Sequence, residues 1–152
     1  MKLWMALFVT IVALAGCTTV QTSESSATSD ALTMPSLMFQ NADAEEAMRF
    51  YVETFPDSRV VSVQRYDDGT VQLGSFEVQG VRMLCTDSPI KHDFGFTPAI
   101  AIHLECATEA DVDRLAGALS DGGQVMMPPN DYGFSRRFAF VQDRFGVSWQ
   151  FN

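Results

Sequence analysis

The chain has 152 residues, of which 19 are Asp or Glu and 10 are Lys or Arg, so its formal net charge is −9 at pH 7. An acidic chain without a basic run does not favour binding to nucleic acid or electrostatic docking on anionic lipid. Residues 34–152 are sufficient for one domain with its own hydrophobic core.

The amino-terminal stretch has the layout of a secretory signal peptide. Lys2 is its only charged residue, and the run from Leu3 to Gly16 is apolar apart from Thr10. This run is short for a membrane-spanning helix, which needs about 20 apolar residues. A basic start, a short apolar centre and small residues at the end are typical of a signal peptide.

The apolar run ends in Leu14-Ala15-Gly16-Cys17, which resembles the lipobox of bacterial lipoproteins. In those proteins the cysteine is diacylated, the peptide before it is removed, and the new amino end is acylated. The resemblance implies a lipoprotein signal peptide over residues 1–16 and lipidation at Cys17. With Thr18 as the next residue, it also implies a location in the bacterial cell envelope, anchored in the outer membrane and facing the periplasm. A plain signal peptide is the alternative interpretation.

Residues 17–33 contain the lipidated cysteine and a flexible tether. The segment from Thr18 to Thr33 is rich in Ser and Thr and contains no aromatic residue. Such a segment buries too little apolar surface to offset the entropy lost on ordering. The folded domain is therefore predicted over residues 34–152, with membrane contact through the lipid anchor alone.

Two segments of the domain show helical spacing of their apolar residues. The first runs from Asp43 to Phe55, where Asp43 and Glu46 look like a capping box. The second runs from Thr108 to Gly123, with Thr108 as the amino-terminal cap and glycines at the end. The two caps are 65 residues apart.

Each helix is preceded by one predicted strand and followed by three. The strands before the helices are Met34–Gln40 and Ala99–Glu105, and the later ones are 59–66, 70–78 and 81–87 in the first half and 124–129, 136–142 and 147–152 in the second. Gly80 and Gly146 mark corresponding turns 66 residues apart. The pattern predicts an α+β domain built from two βαβββ modules, at about 34–89 and 97–152.

Two segments carry a family resemblance. "FQNADAEEAMRFYVETFPDSRV" (39–60) and "FVQDRFGVSWQFN" (140–152) resemble the PhnB-like, demethylubiquinone-methyltransferase-like branch of the vicinal oxygen chelate (glyoxalase/bleomycin resistance/dioxygenase) superfamily. The resemblance implies that both modules form one cupped mixed sheet and that the protein is a homodimer. The methyltransferase label is not carried over, because no glycine-rich nucleotide loop is visible.

Alternation along the strands assigns each residue to a helix-covered face or to the cup. The predicted helix side contains Leu37, Phe39, Val81, Met83, Cys85, Ile100, Ile102, Leu104, Val147, Trp149 and Phe151. The cup side contains several polar groups, among them Thr86, Ser148 and Asn152. A concave surface with a few polar groups among apolar ones predicts a small-molecule ligand.

The predicted ligand-binding residues lie in the cup or in the loop from Met127 to Arg137, where an aromatic lid is expected by similarity to related chains. They are Ser36, Met38, Gln40, Arg82, Leu84, Ala101, His103, Glu105, Tyr132, Phe134 and Gln150.

The resemblance implies metal-ligand positions at Ser36, Leu84, Ala101 and Gln150. Only Gln150 is a plausible donor, whereas a divalent metal needs three or more. We therefore expect neither a metal nor another cofactor, and we favour this interpretation over a displaced site of His103, Glu105 and Gln40.

His103 and Glu105 are also the candidate catalytic residues, as a general base and the group that orients it. Against this role, residues at i and i+2 of a strand point the same way rather than at each other, so a polar lining is the alternative.

The predicted function is binding of a small, partly apolar molecule without metal. The alternatives are a metal-dependent or cofactor-free enzyme of the superfamily (a lyase, isomerase or dioxygenase) and a structural envelope lipoprotein with a vestigial cup. Whether the protein is an enzyme stays open at this point.

Overall fold

The computed structural model describes residues 32–152. The predicted signal peptide, Cys17 and nearly all of the tether lie outside the described residues. The domain forms a single compact unit from Thr33 to Asn152. Neither helix in the described part is long and apolar enough to cross a membrane.

The order of helices and strands confirms the α+β fold with two βαβββ modules. Module 1 contains β1 (Ser36–Phe39), α1 (Ala44–Thr54), β2 (Arg59–Arg65), β3 (Val71–Val78) and β4 (Val81–Asp87). Module 2 contains β5 (Ile102–Leu104), α2 (Glu109–Ser120), β6 (Gln124–Asn130), β7 (Phe138–Gln142) and β8 (Ser148–Phe151).

The two modules have the same strand order. Module 1 forms a four-stranded mixed sheet β1-β4-β3-β2, and module 2 forms a second one, β5-β8-β7-β6. In each sheet the first strand pairs in parallel with the last, and the other pairs are antiparallel. Gly80 and Gly146 hold positive φ angles of 81° and 89° at the turn before the last strand, which a residue with a Cβ rarely adopts. The hydrogen-bonded strands of residues 32–152 therefore form two sheets, where the sequence analysis expected one.

A single hydrophobic core contains residues of both modules. The strand residues predicted for the helix side are mostly buried: Leu37, Phe39, Met83, Cys85, Val147, Trp149 and Phe151. Val81 and Ile100 were wrongly assigned to this side, since they are 54% and 77% exposed. Val81 follows the turn at Gly80, and Ile100 precedes the first residue of β5, so the helices do not cover either position.

The two helices are capped in different ways. Thr108 caps α2 as predicted, because its hydroxyl accepts a hydrogen bond from the Asp111 amide at 3.2 Å. The capping box predicted at Asp43 is wrong, since its side chain makes no capping bond. Instead, Asp87 at the end of β4 accepts from the Ala44 amide at 2.9 Å and thereby connects α1 to the sheet.

Candidate functional site

An apolar cavity of about 410 Å³ lies where β1 of module 1 comes near β5 and β8 of module 2. Its polar lining residues are Ser36, Thr97, His103 and Ser148, and its apolar lining residues are Pro35, Leu37, Phe96, Ile100, Ala101, Ile102 and Val147. Three predicted ligand-binding residues, Ser36, Ala101 and His103, therefore lie together. A mostly apolar hollow of this size with a few polar groups suits a small organic ligand.

Ser148 at the start of β8 lines the cavity, but its hydroxyl oxygen has almost no accessible surface. Alternation predicted that this residue lies on the cup side, and in the structure it lines the cavity while being only 2% exposed. Within residues 32–152, its Oγ is the one buried side-chain nitrogen or oxygen that lacks a hydrogen-bond partner. A buried hydroxyl without a partner costs about 1–3 kcal/mol.

His103, Glu105 and Asn152 form a chain of hydrogen bonds, and of the three only His103 lines the cavity. His103 Nε2 lies 2.8 Å from Glu105 Oε1, and Asn152 Nδ2 donates to Glu105 Oε2 at 2.9 Å. The two side chains are therefore hydrogen-bonded to each other, although they stand at i and i+2 of an extended segment. The hydrogen bonds from His103 and then Asn152 lower the pKa of the Glu105 carboxyl, so Glu105 is ionised at neutral pH.

The strand register changes one of the implied metal-ligand positions. Ser36 pairs with Leu84 in module 1, whereas in module 2 the residue that pairs with Gln150 is His103 rather than Ala101. The implied set thus becomes Ser36, Leu84, His103 and Gln150, with only two good donors. No group of three His, Cys, Asp or Glu residues in the described range is placed to hold a metal ion. These positions do not fit a divalent metal.

Met38 and Gln40 lie away from the apolar cavity, in a smaller hollow of about 130 Å³. The Gln40 side chain holds the segment between the modules: its Oε1 accepts from the His92 amide at 2.8 Å, and its Nε2 donates to the Phe94 carbonyl oxygen. In this structure Gln40 therefore contributes to packing of that segment.

Arg82 and Leu84 also lie outside the cavity lining. Arg82 makes a salt bridge with Glu77 at 2.8 Å, and Glu77 is paired with Arg59 at 2.6 Å as well. Leu84 is half-buried between Ser36 and Ser75 in the sheet. Gln150 is half-buried between His103 and Phe140.

The expected aromatic lid forms a cluster of its own. Tyr132 and Phe134 are stacked with ring centroids 6.0 Å apart, and Phe134 meets Phe138 edge to face at 5.2 Å. The Tyr132 hydroxyl donates to the Pro128 carbonyl at 2.8 Å, which closes the loop on itself. Neither ring lines the apolar cavity.

Phe96 and Thr97 also line the cavity, although neither was predicted from the sequence. Both lie in the segment between β4 and β5, which has neither helical nor alternating periodicity. The cavity role of such residues depends on where the connection crosses the sheets, and no local pattern encodes this.

The two cysteines of the domain, Cys85 and Cys106, are free. Cys85 is buried in the core as predicted, and burial followed by the nearby Asp87 charge raises its pKa to about 12. A thiol that keeps its proton at neutral pH is a poor nucleophile. Cys85 therefore has a structural role.

Comparison with solved structures supports the fold. A PhnB protein from Bacillus cereus, described as a 3-demethylubiquinone-9 3-methyltransferase, is 38% identical, with 80% of this chain and 98% of that chain covered and a TM-score of 0.77. Protein PA1353 from Pseudomonas aeruginosa is 22% identical over 80% of this chain and 96% of that one, with a TM-score of 0.70. FosX from Listeria monocytogenes, solved with Mn(II) and dihydroxypropylphosphonic acid, shares the fold at 10% identity, 82% and 90% coverage and a TM-score of 0.57.

A search among curated proteins finds no match. The family model described as 3-demethylubiquinone-9 3-methyltransferase matches residues 31–152, which is the whole of the folded domain. This match and the similarity to the Bacillus cereus protein agree with the two βαβββ modules. The chain therefore belongs to the PhnB-like, 3-demethylubiquinone-9 3-methyltransferase family of the vicinal oxygen chelate superfamily.

Proposed function

We propose that the domain binds a small, partly apolar molecule in the cavity between β1 and β5. The observation that carries this proposal is the mostly apolar cavity of about 410 Å³, whose wall includes four polar residues. Such a hollow buries most of a small organic molecule, and its few polar groups can fix the orientation of that molecule.

The chemistry of the walls favours an uncharged ligand. His103 is the one titratable residue among those that line the cavity, and the lining contains no Asp, Glu, Lys or Arg. A charged ligand would lose its hydration there without gaining an opposite charge. The family name refers to a methyltransferase of demethylubiquinone, and we do not extend that activity to this chain.

We further propose that this domain works at the bacterial cell envelope, held in the outer membrane by acylated Cys17 and facing the periplasm, and that it pairs as a homodimer. The support for the anchor is the resemblance of residues 14–17 to a lipobox. The support for the dimer is membership of the superfamily.

A thermal-shift screen of small neutral ketones, alcohols and phenols tests the binding proposal. We expect compounds that raise the Tm of the purified protein. The Ala101→Phe variant should abolish the rise, because the larger side chain fills the cavity. Val125→Phe, at an exposed position on β6, is the matched control and should leave the response intact.

For compounds with a hydrogen-bonding group, Ser36→Ala in the cavity lining should weaken binding by about fivefold, since a neutral hydrogen bond contributes about 1 kcal/mol. Equal Tm rises in the protein and in Ala101→Phe would contradict the assignment of the cavity. Mn²⁺ and Zn²⁺ belong in the same screen. Stabilisation by either ion that His103→Gln removes would favour a metal-dependent enzyme instead.

A further inference from the structure

We propose that a polar cavity of module 2, beside the start of α2, is a second binding site and that it takes a small α-amino acid in its zwitterionic form. No residue lines both this polar cavity and the apolar cavity between β1 and β5. The inference is therefore independent of the proposed function.

The polar cavity has a volume of about 270 Å³ and lies between three parts of module 2. The stretch from the end of β5 into α2 contributes residues 105–109 and Val112, the segment before β7 contributes residues 135–137, and Asn152 follows β8. Pockets for drug-sized ligands usually have about 300–1,000 Å³. This cavity therefore suits a smaller molecule, and four charged side chains in its lining favour a charged one: Glu105, Glu109, Arg136 and Arg137.

Arg136 is the positive group that is available to a ligand. The other seven arginines of residues 32–152 each form a salt bridge with a carboxylate, and the Arg136 guanidinium forms none within this range. Arg137 donates from Nε to Asp113 at 2.7 Å, so its charge is already compensated. The planar guanidinium of Arg136 can therefore donate two hydrogen bonds to the carboxylate of a ligand.

Ser135 provides a second donor for that carboxylate. Its hydroxyl oxygen accepts from the Arg137 amide at 3.2 Å, which fixes the side chain next to the cavity. A hydroxyl that accepts in this way keeps its own proton for donation. Arg136 and Ser135 are adjacent in the chain, so both donors belong to the same wall.

Two carboxylates in the lining can accept from an ammonium group. Glu109 is exposed, and it takes part in none of the salt bridges within residues 32–152. The ionised Glu105 carboxylate accepts one hydrogen bond at each oxygen, from His103 and from Asn152. Each of these oxygens has a further lone pair. An ammonium group has three N–H donors and can therefore bind both glutamates.

The presence of both signs of charge selects the class of ligand. A simple anion would pair with Arg136 but would be repelled by Glu105 and Glu109, and a simple cation would be repelled by Arg136. A molecule with one ammonium and one carboxylate group matches all three side chains. Only Cys106, Ala107 and Val112 add apolar surface to the lining, so a short side chain fits this cavity better than a long one.

Isothermal titration calorimetry of the purified protein with L-alanine and L-serine tests the proposal. We expect saturable binding of at least one of them at neutral pH and constant ionic strength. Propionate lacks the ammonium group of alanine, and ethylamine lacks its carboxylate. Each should bind at least tenfold more weakly, because one charge-assisted contact is lost. Saturation by neither amino acid at millimolar concentration, or equal affinity for propionate or ethylamine, would overturn the proposal.

Variants of the charged side chains locate the site. Arg136→Gln should raise the Kd of the amino acid by about tenfold, and so should the double variant Glu105→Gln and Glu109→Gln. Arg59→Gln and Glu53→Gln are the matched controls, because they remove exposed charges of the same kind outside the polar cavity and should leave the Kd unchanged. An unchanged Kd in Arg136→Gln or in the double variant would show that the amino acid does not bind here.

Ala101→Phe separates this site from the apolar cavity. The variant fills the apolar cavity, so we expect it to bind the amino acid with an unchanged Kd. If Ala101→Phe abolishes amino-acid binding while Arg136→Gln retains it, the amino acid occupies the apolar cavity and the second site is wrong. Because the titrations of alanine, propionate and ethylamine use the unaltered protein, that comparison does not depend on the folding of any variant.

Discussion

Asp143 is the hydrogen-bond acceptor around which the closing segment, residues 140–152, is arranged. The carboxylate is 3% exposed and accepts four hydrogen bonds. Oδ2 accepts from the Tyr51 hydroxyl at 2.7 Å and from Trp149 Nε1 at 2.9 Å, and Oδ1 accepts from the amides of Phe145 and Val147 at 2.9 and 3.0 Å. Burial raises the pKa of Asp143, and the hydrogen bonds from Trp149 and Tyr51 oppose that rise. The motif residues thus satisfy one buried carboxylate.

The Asp143→Asn variant should therefore lose stability. The amide can accept at one position only, so at least one donor from Tyr51, Trp149 or the turn loses its partner. We expect the free energy of unfolding to fall by about 2–3 kcal/mol, as measured by urea denaturation, because the lost hydrogen bonds involve a charged acceptor. Tyr51→Phe removes one donor alone and should cost less, about 1 kcal/mol. An Asp143→Asn protein with an unchanged urea midpoint would contradict this role for the carboxylate.

At the scale of strands, β3 and β4 fit closely because a glycine faces a cysteine. Gly74 pairs with Cys85 across the two strands, and a Cβ on Gly74 would lie 2.5 Å from Cys85 Sγ. Real atoms do not approach so closely, so a side chain at position 74 displaces the thiol. The small residue on β3 thus makes room for the larger one on β4 within a packed core.

A double-mutant cycle tests this pair. Gly74→Ala should destabilise the domain by about 1–3 kcal/mol through overpacking, and Cys85→Ala should destabilise it by leaving a small void. The double variant should be more stable than the sum of the two losses predicts, by about 1 kcal/mol, because the new methyl group occupies the space of the lost sulfur. Additive losses in urea unfolding would show that the two residues do not compete for one space.

Strand alternation predicted much of the sheets correctly, and its errors have a common cause. Met83, Cys85, Trp149 and Phe151 lie under the helices as expected, because each is inside a strand that a helix covers. Ile100 failed because β5 begins only at Ile102. Alternation predicts which face of a sheet a strand residue lies on. It predicts neither where the strand begins nor which element covers the edge of the sheet.

The candidate site was less accessible to sequence reasoning than the fold. Ser36, Ala101 and His103 were predicted, and they line the cavity. The hydrogen bond between His103 and Glu105 depends on side-chain rotamers. The buried Ser148 hydroxyl lacks a hydrogen-bond partner because of which groups pack around it. Phe96 joins the site from an irregular segment. These features result from tertiary packing, and the helical or strand periodicity of the sequence does not predict them.

At the scale of the whole molecule, the strands at the sheet edges are where a second copy could pair in the proposed homodimer. Within residues 32–152, β1, β2, β5 and β6 each pair with a strand on one side only. An unpaired edge is a ready template for contact with another chain. We expect sedimentation equilibrium of the purified protein to give the mass of two copies at micromolar concentration. A single-copy mass at ten times that concentration would contradict the dimer.

If the proposed lipid anchor is correct, attachment of the protein to the membrane depends on the Cys17 sulfur. The acidic chain has no basic run to hold it on anionic lipid, so membrane contact must come from the acyl chains, each buried CH₂ of which contributes about 0.8 kcal/mol. Cys17→Ser removes the site of acylation. After expression in a bacterium fed labelled palmitate, we expect the unaltered protein to be labelled and to sediment with outer membranes, and the variant to be unlabelled and absent from them.

Cys106→Ser is the matched control, because it removes a thiol of the folded domain and should keep the label. Label retained in Cys17→Ser would place the acyl chains elsewhere, and an unlabelled protein that is merely exported would favour the plain signal peptide.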